Sequence, residues 1–266
     1  MSKLLFIGAG KMATAIAGGI VKAGLFPPAD LAAFDVDPQA AGAFSEATGI
    51  CCASDAAAAL AEAENVLVAV KPQYITAALE PLRGKFNGKL VISIAAGVTV
   101  ETLKELTGND RIIRVMPNTP ALVGKGAAAY SGAAGSTKCD LEFTAKIFNA
   151  VGLGVQVPEK LLDAVTGLSG SGPAYVFEFI QALADGGVAE GLPRDTALKL
   201  AAQTVLGSAA MVLESGVHPA ILKDQVTSPG GTTSRGLEKL AERGFNGIVI
   251  QAVRAAAARS NELGKK

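Results

Sequence analysis

The sequence predicts an α/β fold in which a doubly wound sheet is followed by an all-α domain. Short apolar runs alternate with alanine-rich helical segments through the first part of the chain, which is typical of a parallel sheet covered on both faces. A glycine-rich turn joins the first run to the first helical segment. Beyond Pro158 the runs stop and helical periodicity takes over. We therefore expect one domain over residues 1–158 and another over residues 159–266.

The alternating pattern defines the elements of the first domain. Strands are predicted at 4–7, 31–34, 66–70, 90–94, 111–116 and 152–157. Helices are predicted between them at 11–22, 38–48, 56–63, 75–82, 100–106 and 141–150. Strands separated by helices in this order predict crossover connections and a parallel sheet.

In the second domain the helical pattern is clearest between Pro193 and Gly216. Apolar residues recur there at three- and four-residue spacing, Pro193 suits a first helical turn, and Gly216 suits the end of a helix. Further helices are predicted at 161–167, 173–186, 232–243 and 248–263. These apolar faces favour pairing of two copies across a two-fold axis; the alternative is that they pack only on the first domain.

Charge and composition exclude several classes of function. The 266-residue chain has 24 Lys and Arg against 24 Asp and Glu, whereas a nucleic-acid binder carries a basic surplus. With three cysteines and one histidine, neither a disulfide framework nor a metal site is expected. The N-terminus lacks a signal-peptide pattern, and no uninterrupted apolar run is long enough to span a membrane. We therefore expect a cytoplasmic protein.

The turn after the first predicted strand has the G-x-G-x-x-A pattern of a dinucleotide-binding domain. In this pattern Gly8 permits the tight turn, Gly10 lets a pyrophosphate approach the backbone, and Ala13 lets the helix lie close to the strand. The pyrophosphate would accept hydrogen bonds from unpaired N–H groups at the helix N-terminus. The first domain is therefore predicted to be a Rossmann domain that binds NAD or NADP; the alternative is a purely structural turn.

Asp35 follows the second predicted strand, where an acidic side chain can bind the ribose hydroxyls of adenosine. A carboxylate there disfavours the 2′-phosphate of NADP, and no arginine lies between Phe34 and Pro38 to bind that phosphate. In the other interpretation, Asp35 or Asp37 caps the following helix, with Pro38 in its first turn. The choice between NAD and NADP therefore stays open.

Loop signals follow three later strands, at residues 69–72, 93–97 and 115–120. Ligands of an open α/β sheet bind outside the carboxyl ends of its strands, so these three strand ends together predict a nicotinamide pocket. Each by itself is also an ordinary turn.

Residues 224–233 are the most informative stretch of the second half. Gly230 and Gly231 precede Thr232, Thr233 and a helical pattern, which predicts a nest of backbone N–H groups suited to a carboxylate. A similar Gly/Ser helix entrance occurs at residues 168–175. The alternative for residues 224–233 is an ordinary N-cap after a Ser-Pro turn. Two such entrances favour a ligand pocket in the helical domain.

These motifs together resemble those of the pyrroline-5-carboxylate reductase family over essentially the whole chain. The resemblance rests on residues 6–12, 69–72, 93–97, 116–122 and 169–175, and on a Ser-Pro-Gly-Gly-x-Thr pattern within 224–233. It implies a Rossmann domain, a helical dimerisation domain interleaved with that of a second copy, and NAD(P)H as the hydride donor. The implied reaction is reduction of 1-pyrroline-5-carboxylate to L-proline, the last step of proline biosynthesis. Family members often prefer NADPH, and Asp35 departs from the phosphate-binding residues expected there.

The resemblance also implies site residues. Ser228, Gly230, Gly231 and Thr232 would bind the substrate carboxylate. Thr233 would hydrogen-bond the ring nitrogen and is the candidate catalytic residue. The cofactor would be bound by Gly8, Ala9, Gly10, Lys11, Met12, Asp35, Ala69, Val70, Lys71, Pro72, Ala96, Gly97 and Asn118.

The chemistry of a cyclic imine agrees with what the chain lacks. An iminium ion is already electrophilic, so neither a metal nor a catalytic His-Asp pair is needed. His218, before Pro219 in a predicted turn, is interpreted as structural. Two other functions are alternatives: a β-hydroxyacid-type dehydrogenase, with Lys199 or Lys223 as its acid, and a nucleotide-sensing protein without turnover.

Overall fold

The first strand is apolar at consecutive positions because both faces of the sheet are buried. The computed structural model describes residues 2–264. In β1 (Ser2–Ile7), the side chains of Leu4 and Phe6 enter the core on one face of the sheet, and those of Leu5 and Ile7 enter the core on the other. Two separate hydrophobic cores, one on each face, confirm the doubly wound class.

Seven strands form the sheet in the described part of the chain. After β1 they are β2 (Leu31–Phe34), β3 (Ala63–Val68), β4 (Leu90–Ser93), β5 (Ile112–Met116), β6 (Gly126–Gly132) and β7 (Gly152–Gln156). Their order across the sheet is β2-β1-β3-β4-β5-β6-β7. The first five are parallel to one another, so their carboxyl ends lie at one edge of the sheet.

Strand β6 is absent from the sequence prediction, and it makes the sheet mixed, not wholly parallel. It pairs antiparallel with β5 and parallel with β7. Its sequence, Gly-Ala-Ala-Ala-Tyr-Ser-Gly, is poor in residues that favour strands. Ala128, Ala129 and Tyr130 are nevertheless buried. Pairing with two neighbouring strands therefore outweighs the weak local preference.

Helices cover both faces of this sheet. They are α1 (Lys11–Lys22), α2 (Pro38–Thr48), α3 (Ala56–Glu62), α4 (Ile75–Leu79), α5 (Val100–Thr107), α6 (Lys138–Asn149) and α7 (Leu162–Val165). Four of them begin at a side chain that accepts a backbone N–H, namely those of Asp37, Asp55, Thr99 and Thr137. Such caps fix where each helix starts.

By compactness the chain divides into two units. One contains residues 1–171 together with 254–266, and the other contains residues 172–253. In the first unit, Ser260 of the last helix donates a hydrogen bond of 2.7 Å from its Oγ to Oδ1 of Asp163. The division at residues 158 and 159 stays a prediction.

The second unit is helical, as expected. Its helices are α8 (Gly172–Ala189), α9 (Arg194–Ser215), α10 (Pro219–Gln225), α11 (Thr232–Glu242) and the first part of α12 (Phe245–Leu263). Helix α10 is absent from the sequence prediction. His218, predicted to lie in a turn, caps α10, and its Nδ1 accepts from the N–H of Ala220 at 3.2 Å.

The core of the second unit is small. Its buried apolar residues are Ala184, Ala197 and Ala201, with Ile180 and Val188 packed against them. Helix α9 is the one helix in residues 2–264 that is long and apolar enough to cross a membrane by length and composition alone. The sequence criterion of an uninterrupted apolar run misses it because polar residues such as Lys199 and Gln203 interrupt the pattern.

Candidate functional site

The turn that follows β1 has room for nothing larger than glycine at its first position. Gly8 has a φ of +101°, and a Cβ built on it would lie 2.9 Å from the backbone C and O atoms of Ala69. Its N–H donates to the carbonyl of Phe34 at 2.8 Å. Gly8 therefore holds the chain close to both neighbouring strand ends.

Gly10 is open where Gly8 is enclosed. It is the N-cap of α1, and a Cβ built on it would meet no atom within 4 Å. Because glycine has no side chain, it cannot cap the first N–H groups of the helix itself. Ala13, one turn into the helix, is fully buried. The result is an exposed helix N-terminus, with its partial positive charge, at the carboxyl edge of the sheet.

Asp35 lies beside this turn and is held there by two backbone groups. Its Oδ2 accepts from the N–H of Ala9 at 2.7 Å, and its Oδ1 accepts from the N–H of Asp37 at 2.9 Å. The helix cap is Asp37, whose Oδ1 accepts from the N–H of Gln39 at 2.9 Å. Of the two acidic residues that the sequence left as alternative caps, Asp37 therefore caps α2.

A cavity of about 670 Å³ opens on this turn. Six of the predicted cofactor residues line it, namely Gly8, Gly10, Asp35, Ala69, Val70 and Lys71. Its remaining walls are mostly apolar and come from the loop after β2, from α2 and α3, and from the segment after β3. Space, glycine turn and helix N-terminus together fit a dinucleotide.

Val36 and Tyr74 also line the cavity, although neither is among the site residues predicted from the sequence. Val36 is 87% exposed and Tyr74 is 58% exposed, although both are large apolar side chains. The signal available in the sequence was position alone, since each follows a strand end by a few residues. Exposed apolar groups in a cavity are typical of a binding surface.

The other predicted cofactor residues lie outside the cavity lining. Ala9 is buried, and its N–H is bonded to Asp35. Lys11 and Met12 form the first turn of α1, and Pro72 begins a short 3-10 turn. Ala96 and Gly97 follow β4, and Gly97 adopts a left-handed φ of +76°.

Asn118, also predicted to bind the cofactor, joins three segments of the first unit. Its Nδ2 donates to the carbonyl of Ser169 at 3.0 Å, and its Oδ1 accepts from the N–H of Ala127 at 2.8 Å. The side chain is buried. Ser169 lies in a π-helical turn, Thr166–Gly170, that precedes α8. Asn118 thus ties the loop after β5 to this turn and to the start of β6.

The predicted substrate residues lie together at the start of α11. Gly230 has a left-handed φ of +67°, and Gly231 is the N-cap of the helix. A Cβ built on Gly231 would lie 2.2 Å from Oγ of Ser228, so the serine hydroxyl occupies the space that a side chain at position 231 would need. The N–H of Gly231 itself donates to the carbonyl of Ser228 at 3.1 Å, whereas no side chain caps the first N–H groups of α11. Those N–H groups and the Ser228 hydroxyl are the donors that a carboxylate would find here.

The hydroxyl groups around this helix start divide into two kinds. Those of Thr227 and Ser234 donate to the carbonyls of Lys223 and Gly231 at 2.6 and 2.7 Å. Within residues 2–264, no such bond engages the hydroxyl of Thr232 or Thr233. Thr233 is half-buried, whereas Thr232 is exposed. The two threonines that the sequence selected can therefore bind a ligand without losing a bond to the protein.

The strongest ion pair of the first unit has a structural role. Nε of Arg111 lies 2.9 Å from Oδ2 of Asp140, and Nη2 lies 2.5 Å from Oδ1. Burial raises the pKa of Asp140, but hydrogen bonds from Arg111 and Thr137 outweigh it, so this pKa lies below its usual range. The pair joins the start of β5 to α6 and does not line the cavity at the glycine turn.

Two family models match the chain. One, described as pyrroline-5-carboxylate reductase dimerisation, matches residues 159–263. The other, described as NADP oxidoreductase, coenzyme F420-dependent, matches residues 3–97.

Individual proteins resemble the chain over nearly its whole length. A pyrroline-5-carboxylate reductase of Arabidopsis thaliana is 48% identical over 262 residues, covering 98% of this chain and 95% of the relative. The structure of Plasmodium falciparum pyrroline carboxylate reductase with NADP bound is 35% identical, has a TM-score of 0.88, and covers 99% of this chain and 98% of that one. A Coxiella burnetii pyrroline-5-carboxylate reductase structure is also 35% identical, with a TM-score of 0.93 and 98% coverage of both chains.

Proposed function

The chain belongs to the pyrroline-5-carboxylate reductase family, and on that premise we propose which of its residues bind the cofactor and the substrate. It is an NAD(P)H-dependent oxidoreductase that reduces the C=N bond of 1-pyrroline-5-carboxylate to give L-proline. The hydroxyacid dehydrogenase and the nucleotide sensor are not favoured.

The first proposal concerns the cofactor. The N–H groups of the first turn of α1, at Gly10, Lys11 and Met12, hold the pyrophosphate, and Gly8 and Ala9 shape the turn that leads to them. The observation that carries this assignment is the uncapped helix N-terminus at Gly10, which opens into the cavity. Asp35 faces the adenosine ribose from the same cavity.

The nicotinamide half is assigned to the carboxyl ends of β3, β4 and β5. The residues proposed there are Ala69, Val70, Lys71, Pro72, Ala96, Gly97 and Asn118. When bound, the reduced nicotinamide supplies a hydride to the imine carbon. Asn118 acts by holding the loop after β5 in place, because both ends of its amide are bonded to the protein.

The substrate is assigned to the start of α11. Ser228, Gly230, Gly231 and Thr232 bind the carboxylate through backbone N–H groups and hydroxyls, aided by the helix dipole. The Thr233 hydroxyl donates a hydrogen bond to the nitrogen of the neutral imine, or accepts a hydrogen bond from the N–H of the iminium ion. Because the iminium ion is already electrophilic, Thr233 needs only to orient the ring through a hydrogen bond to its nitrogen. It does not have to act as a strong acid.

We propose that the helical domain, residues 159–266, pairs with a second copy, while residues 1–158 form the dinucleotide-binding domain. Helix α9 has large apolar side chains between 48% and 75% exposed, namely Leu198, Leu200, Leu206, Met211 and Leu213. A monomer rarely leaves so many large apolar side chains of one helix open to water. Light scattering should give a particle of at least twice the chain mass of 26.8 kDa. A monomer that persists at high concentration would contradict the proposal.

A substitution on that surface tests the same point. Leu206→Glu should weaken self-association, because it places a charge in a buried apolar interface. Ala47→Glu adds the same charge at an exposed position of α2, in the first unit, and is the control. The cytoplasmic location stays a prediction from the sequence.

The reductase activity is tested by following loss of the reduced-nicotinamide absorbance with purified protein and 1-pyrroline-5-carboxylate. NADH and NADPH are supplied in separate reactions. Oxidation that depends on the imine supports the proposed function. Binding of cofactor without oxidation would return the nucleotide-sensing protein to consideration.

A further inference from the structure

The cavity at the phosphate turn has a polar end and an apolar end. Gly8 and Gly10 form the polar end, where the pyrophosphate is assigned. The apolar walls are formed by residues that follow β2 and β3, namely Val36, Ala40, Ala56, Tyr74, Ala77, Ala78, Pro81 and Leu82. Such a surface fits the flat, weakly polar ring of adenine. The adenosine ribose must then lie between the two ends, beside residues 35–37.

Both ionisable side chains in that stretch are carboxylates, and both are fixed. Asp35 is held by the N–H groups of Ala9 and Asp37, so its carboxylate cannot turn away from the cavity without losing both bonds. Asp37 is held as the cap of α2 through Gln39. A hydroxyl at the ribose 2′ position can donate to such a carboxylate, whereas a 2′-phosphate is repelled by it.

Compensation by a nearby cation is weak. Among the described residues that line the cavity, Lys71 is the one cation, against Asp35 and Asp37. Lys71 follows β3 while both carboxylates follow β2, and β1 lies between these strands. The backbone of Lys71 therefore lies across the glycine turn from the two acids.

We propose that Asp35, assisted by Asp37, makes this reductase prefer NADH over NADPH. The proposal rests on the proposed cofactor site. The Plasmodium falciparum relative has NADP bound. At 35% identity the two chains can differ in the loop after β2, where preference for the 2′ group is decided.

The test is a binding titration of the intact protein with NADH and with NADPH, without substrate, read from the fluorescence of the nicotinamide. We expect the Kd for NADH to be at least about tenfold lower than the Kd for NADPH, because a carboxylate close to the 2′-phosphate repels it and weakens binding. Adenosine 2′,5′-bisphosphate should likewise compete with NADH more weakly than ADP does. Equal or tighter binding of NADPH would overturn the proposal and leave the reductase assignment intact.

Variants assign the preference to these residues. Asp35→Asn keeps an oxygen that can accept from Ala9 but gives up the acceptor for the N–H of residue 37, and Asp37→Ser keeps a good helix cap. The double variant therefore removes two charges at the cost of one exposed hydrogen bond. Its ratio of Kd values should fall by about tenfold. Glu46→Gln removes an exposed charge from α2 outside the cavity and should leave the ratio unchanged.

Two results would count against the assignment in different ways. A double variant that is folded, as judged by its circular dichroism, and keeps the wild-type ratio would overturn the role of Asp35 and Asp37. If neither cofactor binds the wild-type protein, the proposed cofactor site itself fails, and this inference fails with it.

Discussion

The backbone N–H of Ala9 donates a hydrogen bond of 2.7 Å to Oδ2 of Asp35, which joins the turn after β1 to the end of β2. The second oxygen of the same carboxylate accepts from the N–H of Asp37. One side chain therefore sets both the glycine turn and the loop that leads into α2. This link also holds the negative charge in place beside the cavity.

Replacing Asp35 with alanine should loosen the turn and weaken binding of both cofactors. Ala9 is buried, so its N–H would lose its acceptor, at a cost of about 1–3 kcal/mol in the free energy of unfolding. Denaturant unfolding and NADH titration measure the two effects. Asp35→Asn keeps an acceptor oxygen and should lose less stability. Equal stability of Asp35→Ala and the wild type would show that water replaces the carboxylate.

The two glycines of the turn should respond differently to alanine. Gly8→Ala forces a Cβ to 2.9 Å from the backbone of Ala69 at a φ of +101°, so it should destabilise the fold by about 1–3 kcal/mol. Gly10→Ala meets no protein atom within 4 Å and should leave the thermal midpoint nearly unchanged. Its methyl group would occupy space assigned to the pyrophosphate, so the Kd for NADH should rise. A Gly10→Ala protein that binds NADH normally would move the pyrophosphate elsewhere.

Tyr74→Ala should raise the Kd for NADH by about fivefold to a hundredfold, because stacking of a base on an aromatic ring contributes about 1–3 kcal/mol. Tyr74→Phe retains the ring and should bind as the wild type does. Reduced nicotinamide mononucleotide, which has no adenine, should show no difference among the three proteins. A loss of affinity for the mononucleotide as well would mean that Tyr74 supports the cavity as a whole.

Thr233→Ala should lower kcat more than it weakens cofactor binding. The Thr233 hydroxyl is assigned a hydrogen bond to the ring nitrogen, and loss of a group that positions or transfers a proton lowers the rate by about a hundredfold or more. Steady-state kinetics and NADH titration on the same preparation separate the two quantities. Thr233→Ser keeps the hydroxyl and should recover most of the rate. An unchanged kcat in Thr233→Ala would remove this residue from the mechanism.

Asp140 should make the first unit sensitive to acid. Its pKa is lowered in the native state, so it stabilises the fold above the usual carboxyl pKa, and that contribution is lost as the pH falls through the lower native value. Asp140→Asn should therefore cost about 1–2 kcal/mol at neutral pH and progressively less in acid. Unfolding curves at several pH values measure the difference.

The control for this effect is an exposed ion pair. Asp110 pairs with Lys104 at 3.1 Å, but its side chain is 78% exposed. Asp110→Asn should leave the free energy of unfolding nearly unchanged, because water screens an exposed ion pair. A difference between Asp140→Asn and the wild type that stays constant with pH would assign the cost to packing instead of charge.

Much of the fold follows from local patterns in the sequence. Helices α1 and α2 and strand β2 have the bounds that periodicity and turn residues predict. Strand β6 and helix α10 do not. The alanines of β6 form a strand because two neighbours pair with them, and α10 is a short helix whose cap is a histidine.

The candidate site divides in the same way. The glycine turn and the Gly-Gly-Thr-Thr helix start are recognisable from the sequence because φ angles above zero and uncapped helix starts have strict residue requirements. The contributions of Val36 and Tyr74 to the cavity cannot be recognised from the sequence, because exposure in a cavity depends on which distant segments form its walls.

The doubly wound class, the glycine turn and the resemblance to the family can all be inferred from the sequence. The class and the turn depend on residue periodicity and on glycine, which act within a few positions along the chain. Packing of distant segments sets the rest: Asp35 binds Ala9 while Asp37 caps α2, and Asn118 joins three separate segments. Hydrogen-bond partners between residues far apart in sequence are set by how strands and helices pack, and the same acids and amides could serve several partners until that packing is complete.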